Sequence, residues 1–187
     1  MAARVVLLAS GSGTLAQAII DAEELEIEIV ALISDNPDAQ ALKRAKEANI
    51  QTILLPIKES RDEWNEEITQ TVASLSVDLV VSAGFMRVLP PDFVNRFPTI
   101  NSHPALLPQF PGAHAVRDAL AAGVSVTGTT VHWVDEGVDT GPIITQMEVP
   151  VLPGDDEATL HERIKKVEHG LIVATIALIL PTLEHNV

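Results

Sequence analysis

Three times within residues 4–83, a short run of aliphatic and β-branched side chains stops at turn residues and gives way to helical spacing. No other feature limits the fold so strongly. Residues 4–9 end in Ser10-Gly11-Ser12-Gly13, after which Leu15, Ala18, Ile19 and Ala22 recur on one helical face. Residues 27–33 end in Ser34-Asp35-Asn36-Pro37 and are followed by a helical pattern over 39–48. Residues 52–55 end at Pro56, and Ser60 with Glu63 three positions on marks the start of a helix over 62–75. A fourth apolar run, 77–83, completes the series. Strands that alternate with helices in this way, apolar at nearly every position, predict a parallel sheet covered on both faces.

The pattern changes after Gly84. Residues 85–114 carry six prolines around a short strand near 99–102, which predicts mostly ordered loop. Loops of that length inside a compact domain tend to be functional. Thr and Val alternate over 126–134 as in a strand, 143–149 can pair with it across an Asp/Gly loop, and 156–180 reads as a long final helix. With 187 residues, 47% of them hydrophobic, and no repeat or linker, one domain over 1–187 is expected.

Charge and cysteine usage narrow the chemistry. Acidic side chains outnumber basic ones 26 to 12, a formal charge of −14 spread along the chain, so neither RNA nor DNA is an expected partner. The absence of cysteine removes disulfides, zinc ribbons and thiol nucleophiles, and suits a reducing cytoplasm. The apolar run near the N-terminus is too short for a signal peptide, and the longest, 171–180, is about half of a membrane span. No export and no membrane insertion are expected.

Gly11 to Gly13 sit between a strand and a helix, where backbone N–H groups can hold an anion. The sequence matches neither the P-loop nor the dinucleotide fingerprint, so a phosphomonoester is the expected ligand; the alternative is a turn that only reverses the chain. Among six histidines, His161, His169 and His185 fall among charges and read as solvated, and His132 reads as a core group on a strand. His103 differs. It shares a strand face with Asn101 at the end of a strand, where α/β folds place their ligands. An amide donor beside an imidazole suits acyl transfer, one group holding an oxyanion and the other moving a proton. A carboxylate must keep that imidazole charged, and Asp135, Glu136 and Asp139 are the candidates; a polar turn is the alternative for their loop.

The segments Asn101-Ser102-His103-Pro104-Ala105-Leu106-Leu107-Pro108 and Gly84-Phe85-Met86-Arg87-Val88-Leu89, with Asp139 before Thr140-Gly141-Pro142, resemble the folate-dependent formyltransferase family. The likeness runs over nearly the whole chain, from Ser10-Gly11-Ser12-Gly13 to Glu168-His169, and is strongest to the small bacterial members acting in purine synthesis. It implies a Rossmann-like fold whose mostly parallel central sheet has helices on both faces. It also implies transfer of a formyl group from 10-formyltetrahydrofolate, as co-substrate and without a metal, to the amine of phosphoribosylglycinamide.

In this resemblance Asn101, His103 and Asp139 are catalytic, Asn101 on the formyl oxygen, His103 as general acid, and Asp139 holding its charge and collecting the amine proton through water. The N-terminal half binds the phosphoribosyl substrate, with Gly13, Thr14 and Leu15 on the phosphate and Lys165, Lys166, Val167 and Glu168 reaching back to close its other end. The C-terminal half binds folate and carries the catalysis. Folate lies along Met86, Arg87, Val88 and Leu89 and the loop of Asp135, Glu136, Gly137, Val138 and Asp139, beside Asn101, with Arg61 on its polar side. A homodimer is compatible with the family.

Two features depart from it. Leu15 stands where many relatives have Asn, and the chain ends at Val187, before the terminal strand pair of longer members. Methionyl-tRNA formyltransferase and formyltetrahydrofolate hydrolase share the Asn-x-His core, but each adds a domain for which 187 residues leave no room. A non-catalytic mononucleotide-binding module is the alternative of another class, and it has no use for His103.

Overall fold

The computed structural model describes residues 2–183. The chain runs through β1 (Ala3–Leu8), α1 (Thr14–Ile20), β2 (Ile27–Ser34), α2 (Gln40–Glu47), β3 (Thr52–Leu54), α3 (Arg61–Ser74) and β4 (Leu79–Ser82). It continues through α4 (Pro91–Arg96), β5 (Thr99–His103), α5 (Ala115–Ala121), β6 (Val126–Trp133), β7 (Ile143–Pro150) and α6 (Glu157–Ile179). One seven-stranded sheet has the order β3-β2-β1-β4-β5-β6-β7. Its first five strands pair in parallel, and β6 and β7 add antiparallel to that edge. His185 and the chain terminus, where the strand-pair difference was expected, lie outside the described residues.

Alternation along the strands builds two cores. Val5 and Leu7 of β1 face α1, α2 and α6, against Leu15, Ile19, Ala41, Ile172 and Ile176. Val6 and Leu8 face the other way, against Trp64, Ile68 and Val72 of α3 and Phe93 of α4. Period-two side-chain direction thus makes β1 apolar throughout, as a strand buried on both faces must be.

Two helices go beyond the sequence reading. Residues 91–96 are helical inside the stretch 85–114 expected to be mostly loop, and residues 115–121, to which the sequence pattern assigns no element, are helical as well. Proline breaks a helix interior but suits its first turn, where the N–H has no partner to lose, and Pro91 occupies that place in α4. Residues 104–114 do form a loop. At the start of α3 the Ser60 side chain accepts from the Glu63 N–H, as the spacing of the two predicts, and Asp156 with Thr159 forms a reciprocal cap on α6.

Strand order positions the site. From β1 the chain moves to one side of the sheet and from β4 to the other, so the loops after these neighbouring strands diverge and open a crevice at their carboxyl ends.

Candidate active site

That crevice continues into a cleft of about 500 Å³ across the carboxyl ends of β1, β4 and β5. Its floor is set by pairing between β5 and β6, which places Asn101 opposite His132 and His103 opposite Thr130. Residues directly opposite in an antiparallel pair share a face. His132, which the sequence suggested was a core group, is therefore brought into the cleft beside Asn101, whose Nδ2 lies 3.3 Å from His132 Nε2. The other ring nitrogen, Nδ1, lies 2.8 Å from the Trp133 carbonyl, an acceptor, so it carries a proton. Nε2 thus faces both the Asn101 amide and the Asp139 carboxylate, whose Oδ1 is 3.5 Å away.

Asp139 sits between the two histidines. Its Oδ2 is 3.3 Å from His103 Nδ1 and its Oδ1 is 3.5 Å from His132 Nε2, while the Gly112 N–H donates to Oδ2 at 2.8 Å. Burial alone pushes this carboxyl up, but His132, the Gly112 N–H and the charge on His103 outweigh it and hold the group below its ordinary value. His103 Nε2 lies 2.8 Å from the Phe110 carbonyl. Both ring nitrogens of His103 thus face acceptors, an arrangement that suits an imidazolium.

The three candidate carboxylates are separated by their surroundings. Asp135 Oδ1 is engaged by the Thr140 hydroxyl and the Gly137 N–H, and Glu136 accepts from the Asn95 amide. Only Asp139 of this loop stands beside His103.

At the opposite end of the cleft is the glycine turn. The carbonyls of Gly11, Ser12 and Gly13 are taken by the Ala41 N–H, the Arg44 guanidinium and the Gln17 N–H. Thr14 and Leu15 open α1, where N–H groups lack intrahelical partners. Gly13 has φ of +70°, and a Cβ there would lie 2.6 Å from the Ala41 Cα, so only glycine lets α2 come this close. The Leu15 side chain packs into the core with Ala16 and Ile19. Leucine in place of Asn at this position thus serves packing, and its backbone alone faces the turn.

The wall between the two ends is residues 84–89. Met86 and Val88 are exposed, whereas Leu89 is buried. Arg87 does not reach freely into the cleft: its Nε donates to Asp35 Oδ2 at 2.6 Å, and Asp35 Oδ1 accepts from Ser10 Oγ at 2.6 Å. Ser10 Oγ in turn accepts from the Met86 N–H at 2.9 Å. This bridge ties the glycine turn to the wall, and sequence reasoning missed it because its members are 25 to 76 positions apart.

Four proposed site residues lie outside the lining. Arg61 donates to the Val88 carbonyl and stacks over Trp64, supporting the wall from behind. Glu136 points to Asn95, Lys166 is exposed, and Val167 packs with Leu160 and Ile164. One helical turn cannot aim four successive residues at one ligand, so of 165–168 only Lys165 and Glu168 face the cleft. His161, expected in solvent, lines it too, and burial with Lys165 nearby lowers its pKa. His169 is half-buried, with an Nε2 that has no hydrogen-bond partner. Among the described residues no helix is long and apolar enough to cross a membrane.

The family model described as "Formyl transferase" matches residues 3–176. Phosphoribosylglycinamide formyltransferase of Mycobacterium tuberculosis is 53% identical over 181 residues, covering 94% of this chain and 84% of that protein. The enzyme of the same name from Escherichia coli is 38% identical over 180 residues, covering 92% and 85%. The crystal structure of glycinamide ribonucleotide transformylase 1 from Symbiobacterium toebii superposes with a TM-score of 0.90 at 40% identity, covering 93% of this chain and 85% of that one.

Proposed function

The chain belongs to the formyl transferase family, and on that premise we propose that it moves the formyl group of 10-formyltetrahydrofolate onto the amine of phosphoribosylglycinamide in cytoplasmic purine biosynthesis. The observation that carries this reading is the set Asn101, His132, Asp139 and His103 at one end of a cleft whose other end is the Gly11–Gly13 turn. The phosphate takes the N–H groups of Gly13, Thr14 and Leu15, and Glu168 and Lys165 take the sugar end. Folate lies against Met86, Val88 and Leu89 and the loop of Asp135, Gly137, Val138 and Asp139.

In the reaction the amine nitrogen forms a bond to the formyl carbon, and the carbonyl electrons move onto oxygen. Asn101 Nδ2 donates to that oxygen as its charge grows, having been oriented by His132. When the intermediate collapses, the bond from the formyl carbon to the folate nitrogen breaks, and the departing nitrogen keeps the electron pair. His103 supplies its proton, giving up the contact with the Phe110 carbonyl. The amine proton leaves through water beside Asp139 and restores the charge on His103, so the proton count closes.

Purified protein should form the formylated product from 10-formyltetrahydrofolate and phosphoribosylglycinamide without ATP. Turnover that requires formate and ATP instead overturns the reading. His103→Ala should abolish transfer while the phosphoribosyl substrate still binds; unchanged transfer in this variant would remove His103 from the chemistry.

A further inference from the structure

Strand β5 turns Asn101 and His103 to one face and Ser102 to the other, toward α6. There the Ser102 hydroxyl donates to Glu168 Oε1 at 2.6 Å, and both residues are only 8% exposed. We propose that Ser102 is a positioning residue: by fixing one oxygen of Glu168 it aims the other at the cleft, where it receives a hydroxyl of the phosphoribosyl substrate. The inference rests on the placement of that substrate at Glu168 under Proposed function and assigns its geometry to a second residue.

Three observations support it. A short O–H···O⁻ bond is among the strong ones, and it sets direction as well as energy. Thr129, fully buried on β6, has its Oγ1 3.5 Å from Ser102 Oγ, so the serine hydroxyl has a second partner and its rotation is restricted. Burial raises the pKa of Glu168, and the bond from Ser102 and the charge of Lys165 work against that rise. Ser102 therefore helps keep charged a carboxylate that its surroundings push toward neutrality. Because Ser102 and His103 are consecutive on one strand, the strand that carries the general acid also holds the anchor for the amine substrate. A small shift of one end thus shifts the other.

The test is steady-state kinetics of Ser102→Ala, Ser102→Thr, Glu168→Gln and Ser102→Ala/Glu168→Gln, with thermal melting of each as a check on folding. Ser102→Ala should raise KM for phosphoribosylglycinamide about tenfold or more, the size of a lost bond to a charged group, and leave KM for 10-formyltetrahydrofolate within about twofold. Ser102→Thr, which keeps the hydroxyl, should recover most of the loss. The double variant should be no worse than Glu168→Gln alone, because residues acting through one contact are not additive. Without the Ser102 bond the Glu168 carboxyl takes up a proton more readily, so the acid-side rise in KM for phosphoribosylglycinamide should begin at higher pH in Ser102→Ala. Equal increases in both KM values, or full additivity in the double variant, would overturn the role of Ser102. If Glu168→Gln raises the amine-substrate KM and Ser102→Ala does not, this inference alone falls. If Glu168→Gln leaves that KM unchanged, the substrate placement falls and takes the inference with it.

Discussion

Replacing Asp139 by Asn tests the charge arrangement with little disturbance of shape. Asp139 has φ of +55°, in the left-handed region that Asn tolerates better than most side chains, so the loop backbone is retained. The Asn oxygen can still accept from the Gly112 N–H, which Asp139 accepts at 2.8 Å. What disappears is a negative charge 3.3 Å from His103 Nδ1, in a pair whose side chains are 5% and 11% exposed. At that distance and an effective dielectric constant of about 20, the gross attraction to an imidazolium is about 5 kcal/mol, before desolvation of the carboxylate is subtracted. Loss of acid–base assistance typically slows turnover by about 10²–10⁴-fold, or about 3–5 kcal/mol of barrier, and this is the fall expected in kcat. Folate binding should weaken only slightly.

The same variant carries a stability signature. A carboxyl held below its ordinary value stabilises the fold fully above its unfolded pKa of about 3.9 and loses that contribution as pH falls through the folded value. Wild type should therefore exceed Asp139→Asn in melting temperature at pH 5, and the gap should narrow below about pH 4. The assays are kcat against pH and thermal melting at pH 5 and pH 3. A kcat within about threefold of wild type would refute the reasoning, and the alternatives Asp135 and Glu136 are already engaged by Thr140 and Asn95.

Two further substitutions separate packing from binding. Gly13→Ala meets both a positive φ and the Ala41 backbone, costing about 1–2 kcal/mol for the first and about 1–3 for the second, so the melting temperature should fall by about 5–20 °C; an unchanged melt would refute the close approach of α2. Loss of phosphate binding in that variant therefore does not by itself identify the anion site. Asp35→Asn removes the charge that holds Arg87 from a carboxylate whose side chain is 1% exposed, and should both lower the melting temperature and raise KM for 10-formyltetrahydrofolate by about three- to tenfold; an unchanged KM would count against a role of the bridge in shaping the wall.

The alternating elements of the first half, the glycine turn, the Ser60 cap and the pairing of Asn101 with His103 on one strand face are legible in the sequence. Each depends on neighbours a few residues apart, and side-chain period and cap chemistry act over that range. The parallel sheet follows because strands apolar at nearly every position must be covered on both sides. Helix α4 is not separable from loop by its prolines, because Pro91 suits a first helical turn as well as an irregular segment. What the sequence left open belongs to pairs far apart in the chain. His132 joins the site through the antiparallel register of β6 on β5, and the choice of Asp139 over Asp135 and Glu136 depends on how the loop closes on its own hydrogen bonds. Arg61, Lys166 and Val167 fell outside the cleft because direction around a helix is set by packing against the sheet. Local sequence specifies which groups are available, whereas register and helix rotation are settled by burying the whole apolar surface at once, and only the assembled fold carries that information.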